Sequence, residues 1–126
     1  MVKKVVLDTN ILVDFLRQPK KATLFEKLVK EKKLKILLPA VVLTELYVGR
    51  SAAKPSQQRR LEEIFKKTEL VLADKNISKR AGILMCDFPH LYLADALVAA
   101  TALEKKAFLC TLNKSHFKKI PSLTLY

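Results

Sequence analysis

The sequence predicts an α/β protein whose parallel sheet is covered by helices on both faces. Short β-rich apolar runs alternate along the chain with longer stretches of helical periodicity, the pattern of strands joined by helical crossovers. At 126 residues, half of them hydrophobic, the chain is long enough for one real core and too short for two. There are no internal repeats and no low-complexity linker, so a single domain spanning 1–126 is expected.

The elements follow in order. Lys3 to Leu7 reads as a strand ending at Asp8. Thr9 to Leu16 reads as a helix that Pro19 breaks. Residues 20–33 suggest a second helix with Leu24, Leu28 and Val29 on one face and lysines on the other. Lys35 to Leu38 is a short strand, and Pro39 suits the first turn of a helix that runs to a stop at Gly49. Ser51 to Pro55 is the best loop candidate, and Ser56 can cap a helix over Gln57–Lys67. Glu69 to Ala73 suggests another strand, followed by helices at 74–86 and 92–104 separated at Pro89. Ala107 to Cys110 reads as a strand, and Leu123 to Leu125 as a possible last one.

Composition narrows the function classes. No apolar run approaches the ~20 residues that cross a bilayer, and the N-terminus makes a poor secretory leader, so a soluble cytoplasmic protein is expected. Cys86 and Cys110 stand alone without a CxxC partner, which disfavours zinc or a disulfide framework; both read as small core residues. Gly49 and Gly82 are the only glycines, so neither a Walker loop nor a GxGxxG dinucleotide loop is present. The formal charge of +12, from 24 Lys+Arg against 12 Asp+Glu, moderately favours a nucleic-acid partner over a lysine-rich solubilising surface without deciding between them.

The acids are few, and their placement is informative. Asp8 lies between Val5-Val6-Leu7 and Ile11-Leu12-Val13, at the end of the first strand, where ligand sites of open parallel sheets gather. Glu45 lies within Val41 to Val48, and Asp95 within Leu91 to Val98 at the start of an alanine-rich helix. A carboxylate among residues that seek the core is costly unless a cation or hydrogen bonds satisfy it. Local protein cations are missing. Residues 5–16, 36–49 and 81–104 hold Asp8, Asp14, Glu45, Asp87, Asp95 and Glu104, half of the acids, and no Lys or Arg. A divalent ion is the simplest balance for such carboxylates.

Four segments carry a resemblance: Val5-Val6-Leu7-Asp8-Thr9-Asn10-Ile11-Leu12-Val13-Asp14, Pro39-Ala40-Val41-Val42-Leu43-Thr44-Glu45-Leu46, Asp95-Ala96-Leu97-Val98-Ala99-Ala100-Thr101-Ala102, and Leu109-Cys110-Thr111-Leu112-Asn113-Lys114-Ser115-His116-Phe117. In their order and spacing the chain resembles PIN-domain proteins, most closely the VapC-type toxin endoribonucleases. The resemblance implies a PIN-like three-layer α/β/α fold with a central parallel sheet of four or five strands. It also implies an acidic pocket binding Mg²⁺ or Mn²⁺, cleavage of RNA phosphodiester bonds, a small antitoxin partner of a type II pair, and a homodimer.

Asp8, Glu45 and Asp95 match the family's catalytic and metal-binding acids. Asp8 and Asp95 are expected as ligands, with Glu45 orienting the attacking water or joining the metal shell. Asn113 falls where many members carry a fourth acid, and Thr111 at the family's hydroxyl position. Both are expected to position water or phosphate, with Asn10 in support. Because Asn113 brings no charge, one firmly held ion is expected rather than two.

Plainer readings stand beside these. Asp8-Thr9-Asn10 also suits a helix N-terminus, Glu45 a helix surface, and Asp95 a partner for a helix dipole. Asp14 reads as structural, Asp87 and His90 as loop residues, and His116 as a packing or capping residue. Arg59, Arg60 and Lys114 are candidates for the RNA backbone, though the Arg59/Arg60/Lys66/Lys67 face equally suits plain solvation. A haloacid-dehalogenase-type phosphatase would need an Asp where Asn10 stands, and a receiver domain an acidic pair with a suitably placed lysine. The serious rival is a binding module that has lost catalysis, and Asn113 is the feature that favours it.

Overall fold

A computed structural model describes residues 2–17, 22–48 and 54–126. The elements are β1 (Lys3–Leu7), α1 (Thr9–Arg17), α2 (Leu24–Val29), β2 (Leu34–Pro39), α3 (Ala40–Val48), α4 (Pro55–Lys67), β3 (Glu69–Val71), α5 (Lys75–Asp87), α6 (Leu93–Glu104) and β4 (Phe108–Cys110). A single 3-10 turn, Lys114–His116, follows β4.

The four strands form one all-parallel sheet in the order β3-β2-β1-β4. Val5, Val6 and Leu7 of central β1 are all 0% exposed, because helices cover both sides of the sheet. On one side α6 lies across β1, β2 and β4, with α5 packed against it. Its Ala96, Val98, Ala99, Ala100 and Ala102 are fully buried, and these short side chains let the helix approach the strands closely. A second group joins α1 to α2 and α4, with α2 against β2 and α4 against β3, while α3 touches β2, α1 and α6. The α/β class and the parallel four-stranded sheet are as the sequence predicts.

Several boundaries differ. The second helix covers only Leu24–Val29, shorter than the 20–33 expected. Thr23 caps it by accepting from the Glu26 N–H, and residues 31–33 turn into β2. Pro39 closes β2, paired with Val71, instead of opening the next helix. At the start of α4, Lys54 is the N-cap and Pro55 the first helical residue, so Ser56 lies inside the helix. Leu123–Leu125 forms only an isolated bridge from Leu125 to Leu109. Cys110 is buried as expected, but Cys86 is exposed on α5, and Asp87 ends that helix rather than sitting in a loop. Pro19, the Gly49 stop and most of the Ser51–Pro55 loop lie outside the described residues.

Candidate active site

The candidate site lies at the carboxyl ends of β1 and β4. The Asp8 N–H donates to the Cys110 carbonyl at 3.0 Å, which fixes the end of one strand to the end of the other. The chain then enters α1, and the Thr9 N–H donates to Asp8 Oδ1 at 2.9 Å. This leaves the second carboxylate oxygen for one partner in α1 and one beyond β4.

Those partners are Thr111 and Asn10. Thr111 Oγ1 donates to Asp8 Oδ2 at 2.8 Å, and Asn10 Nδ2 donates to the same oxygen at 3.2 Å. Since the Thr111 proton points at Asp8, its oxygen is free to accept, and it does so from the Asn113 N–H at 3.0 Å. The Leu112 N–H donates to Asn10 Oδ1 at 3.0 Å, which sets which way the Asn10 amide faces. Asp8 and Thr111 are 7% and 3% exposed, so this is a buried polar network whose members satisfy one another.

The other two acids converge on Asp8 from separate helices. Glu45 Oε1 accepts from Thr9 Oγ1, the residue next to Asp8. Val42 and Leu46 are the buried residues of α3, so Glu45 between them in sequence stays exposed rather than embedded in the core. Asp95, in the first turn of α6, is part-buried, and its Oδ2 lies 3.4 Å from His116 Nδ1. Burial pushes the Asp8 carboxyl above its ordinary 3.8, and the negative charges of Asp95 and Glu45 push the same way. The bonds from Thr111 and Thr9 only partly oppose this. Among the described residues no Lys or Arg pairs with any of the three acids.

Oxygen donors on carboxylates, a hydroxyl and an amide suit a hard divalent ion such as Mg²⁺ or Mn²⁺. Among the described residues no three His, Cys, Asp or Glu groups close into a ready-made ligand cage. Mg²⁺ usually keeps several of its own waters and takes one or two carboxylates, a demand that Asp8 and Asp95 could meet.

The remaining sequence candidates separate. Asn113 contributes its backbone N–H to Thr111, while its Oδ1 accepts from Ser115 Oγ at 3.3 Å. Lys114 is exposed beside this cluster, and its charge acts on Cys110, whose thiol burial nonetheless pushes up to about 11. Arg59 is exposed on α4. Arg60 is engaged instead with α1: its guanidinium lies 4.0 Å from the centre of the Phe15 ring and donates to the Phe15 carbonyl. Phe15 is seven residues beyond Asp8, about 10 Å of helix rise. Thr9 and His116 are the polar partners that sequence reasoning missed as such. Their signals were the positions beside Asp8 and in the Asn113-x-x-His116-Phe117 stretch.

An α/β protein with a parallel 3-2-1-4 sheet and acids gathered at its carboxyl edge belongs to the class that binds ligands where strands end and helices begin. A model of the PIN domain family matches residues 5–123, and the chain belongs to that family. No curated protein matches it in a sequence comparison. Among solved structures, it is similar to a chain of VapBC2 from Rickettsia felis bound to a DNA fragment from their promoter. That match has 27% identity and a TM-score of 0.81, covering 98% of this chain and 97% of the other. It is also similar to a chain of a toxin-antitoxin complex from Klebsiella pneumoniae, at 27% identity and TM-score 0.71 over 95% of each chain. DNA-bound VapBC from Salmonella typhimurium shares the fold at 19% identity and TM-score 0.80, covering 100% and 98%. The VapC-type resemblance read from the sequence is in keeping with these neighbours.

Proposed function

We propose that this chain is a VapC-like toxin: a Mg²⁺- or Mn²⁺-dependent endoribonuclease whose site is formed by Asp8, Glu45 and Asp95. The observation that carries the reading is the buried Asp8 carboxylate, destabilised by two neighbouring acids and lacking a Lys or Arg partner among the described residues. Carboxyls perturbed by burial and by neighbouring acids cluster at functional sites, which supports the reading.

Asp8 and Asp95 would hold the ion, with Glu45 beside them. A bound divalent ion supplies positive charge for a phosphate oxygen and lowers the pKa of a coordinated water. Thr111 and Asn10 would keep the Asp8 carboxylate oriented toward the ion. Glu45, exposed and hydrogen-bonded by Thr9, would orient the attacking water and accept its proton. Lys114 offers a phosphate contact at the rim, and Arg59 a more distant one.

The similarity to chains of VapBC complexes supports a small antitoxin partner, and a homodimer is proposed with it. The test is incubation of the purified protein with RNA in Mn²⁺ and in EDTA, alongside Asp8→Asn and Asp95→Asn. Scission that requires Mn²⁺ and falls at least about 100-fold in each variant is expected. Scission untouched by either substitution would overturn the assignment. A second reading, a PIN domain that binds RNA without cutting it, is favoured by Asn113, whose side-chain oxygen accepts from Ser115 and adds no charge. Metal-independent RNA binding with intact strands would select it.

A further inference from the structure

We infer that His116 is a positioning residue for Asp95: its ring nitrogen holds the α6 carboxylate in the orientation that receives the divalent ion. The inference rests on the metal-site reading above and extends it to a residue whose sequence context suggested only packing or capping.

The three acids are each steadied from a different quarter. Asp8 takes hydrogen bonds from Thr9, Asn10 and Thr111, and Glu45 takes one from Thr9. Asp95 receives none of these. Among the described residues its one side-chain polar partner is His116, with Nδ1 3.4 Å from Oδ2. That separation is long for a hydrogen bond, and polar contacts of this kind in unliganded sites commonly tighten on binding. Because a carboxylate can only accept, the proton on this edge of the ring belongs on Nδ1.

The backbone under His116 is built to hold that ring in place. The 3-10 turn Lys114–His116 starts at Asn113, whose N–H is tied to Thr111 and so to Asp8. Phe117 and Ile120 anchor its far side in the core, at 1% and 3% exposure. From the loop before α6, His90 Nε2 lies 3.0 Å from the His116 carbonyl and donates to it. The turn thus joins the Asp8 network to the Asp95 carboxylate, and a loss at His116 should be felt as looser metal binding rather than as unfolding.

The experiment is a Mn²⁺ titration of the full chain followed by the magnetic-resonance signal of free Mn²⁺, with the melting temperature in EDTA as the folding control. Parent, His116→Ala, His116→Asn, Asp95→Asn and the His116→Ala/Asp95→Asn double variant are compared. Removing a residue that orients a metal ligand typically weakens binding about 10- to 100-fold, and that loss is expected for His116→Ala at nearly unchanged melting temperature. His116→Asn, whose amide can donate from nearly the same place, should recover most of it. In the Asp95→Asn background His116→Ala should cost little more, because the two act through one contact.

Parent-like Mn²⁺ binding by His116→Ala would overturn this inference and leave the metal-site reading standing. So would a full loss on top of Asp95→Asn, or a fall in binding that only tracks a fall in melting temperature and is not restored by Asn. A parent protein that binds no Mn²⁺ would overturn the metal-site reading and this inference with it.

Discussion

Thr111 bears more of the candidate site than its size suggests. Its hydroxyl donates to a buried carboxylate and accepts from the Asn113 N–H, so Thr111→Val removes a donor and an acceptor while keeping the shape. A stability loss of about 2–3 kcal/mol is expected from urea unfolding, with Thr111→Ser close to the parent. Asp8 sets a pH dependence whose sign is fixed by its raised carboxyl. Without metal, the folded protein keeps that proton at a pH where the unfolded chain has already lost it. The contribution to stability is therefore fully retained below 3.8, falls as pH rises towards the raised value, and stays lost above it. Urea midpoints in EDTA from about pH 4 to about pH 7 should decline less for Asp8→Asn than for the parent. Mn²⁺ binding should run the other way and tighten with rising pH, because the ion competes with that proton.

At the scale of elements, two contacts separate stability from chemistry. Arg60 clamps α4 to α1 through the Phe15 ring and carbonyl, so Arg60→Met should cost about 1–2 kcal/mol in urea while leaving Mn²⁺ binding unchanged. Ala99 is fully buried in α6, and Ala99→Leu should cost about 1–3 kcal/mol and also loosen Mn²⁺, since the overpacked helix carries Asp95. Alternation of strand and helix signals made the sheet legible from sequence, and the Asp74 cap and the α6 alanines kept the later helices within a residue or two of expectation. Where tertiary contacts decided the outcome, local pattern misled. The lysine-flanked stretch at 20–33 looked amphipathic over its whole length, yet within its described residues, 22–33, only Leu24–Val29 is helical. Pro39 looked like a helix start until its pairing with Val71 is seen. The acids themselves were visible because carboxylates in apolar segments are conspicuous, and the resemblance also named Thr111 and Asn10, which hold Asp8. Two other holders were not visible: Thr9 meets Glu45 across 36 residues, and His116 meets Asp95 across 21, distances over which a single sequence carries no local signal.

For the whole molecule, the excess of positive charge is the property that reaches farthest. With +12 on 126 residues, RNA binding measured in EDTA should weaken at least about 10-fold between roughly 50 and 200 mM salt, as counterions compete for the phosphates. Binding indifferent to salt would show that the lysines serve solubility alone. No helix among the described residues is long and apolar enough to cross a membrane. The two rims of the sheet are unequal in what they offer another chain. Leu109 donates its N–H to the Thr124 carbonyl and accepts from the Tyr126 N–H, so the outer side of β4 already has a short tenant. An incoming strand would have to evict it, whereas β3 at the opposite rim presents just three residues, flanked by the Lys35–Glu69 ion pair. Chain-to-chain sheet extension is thus discouraged at both ends, so contacts between copies of this chain would have to run through side chains and helices rather than through shared strands.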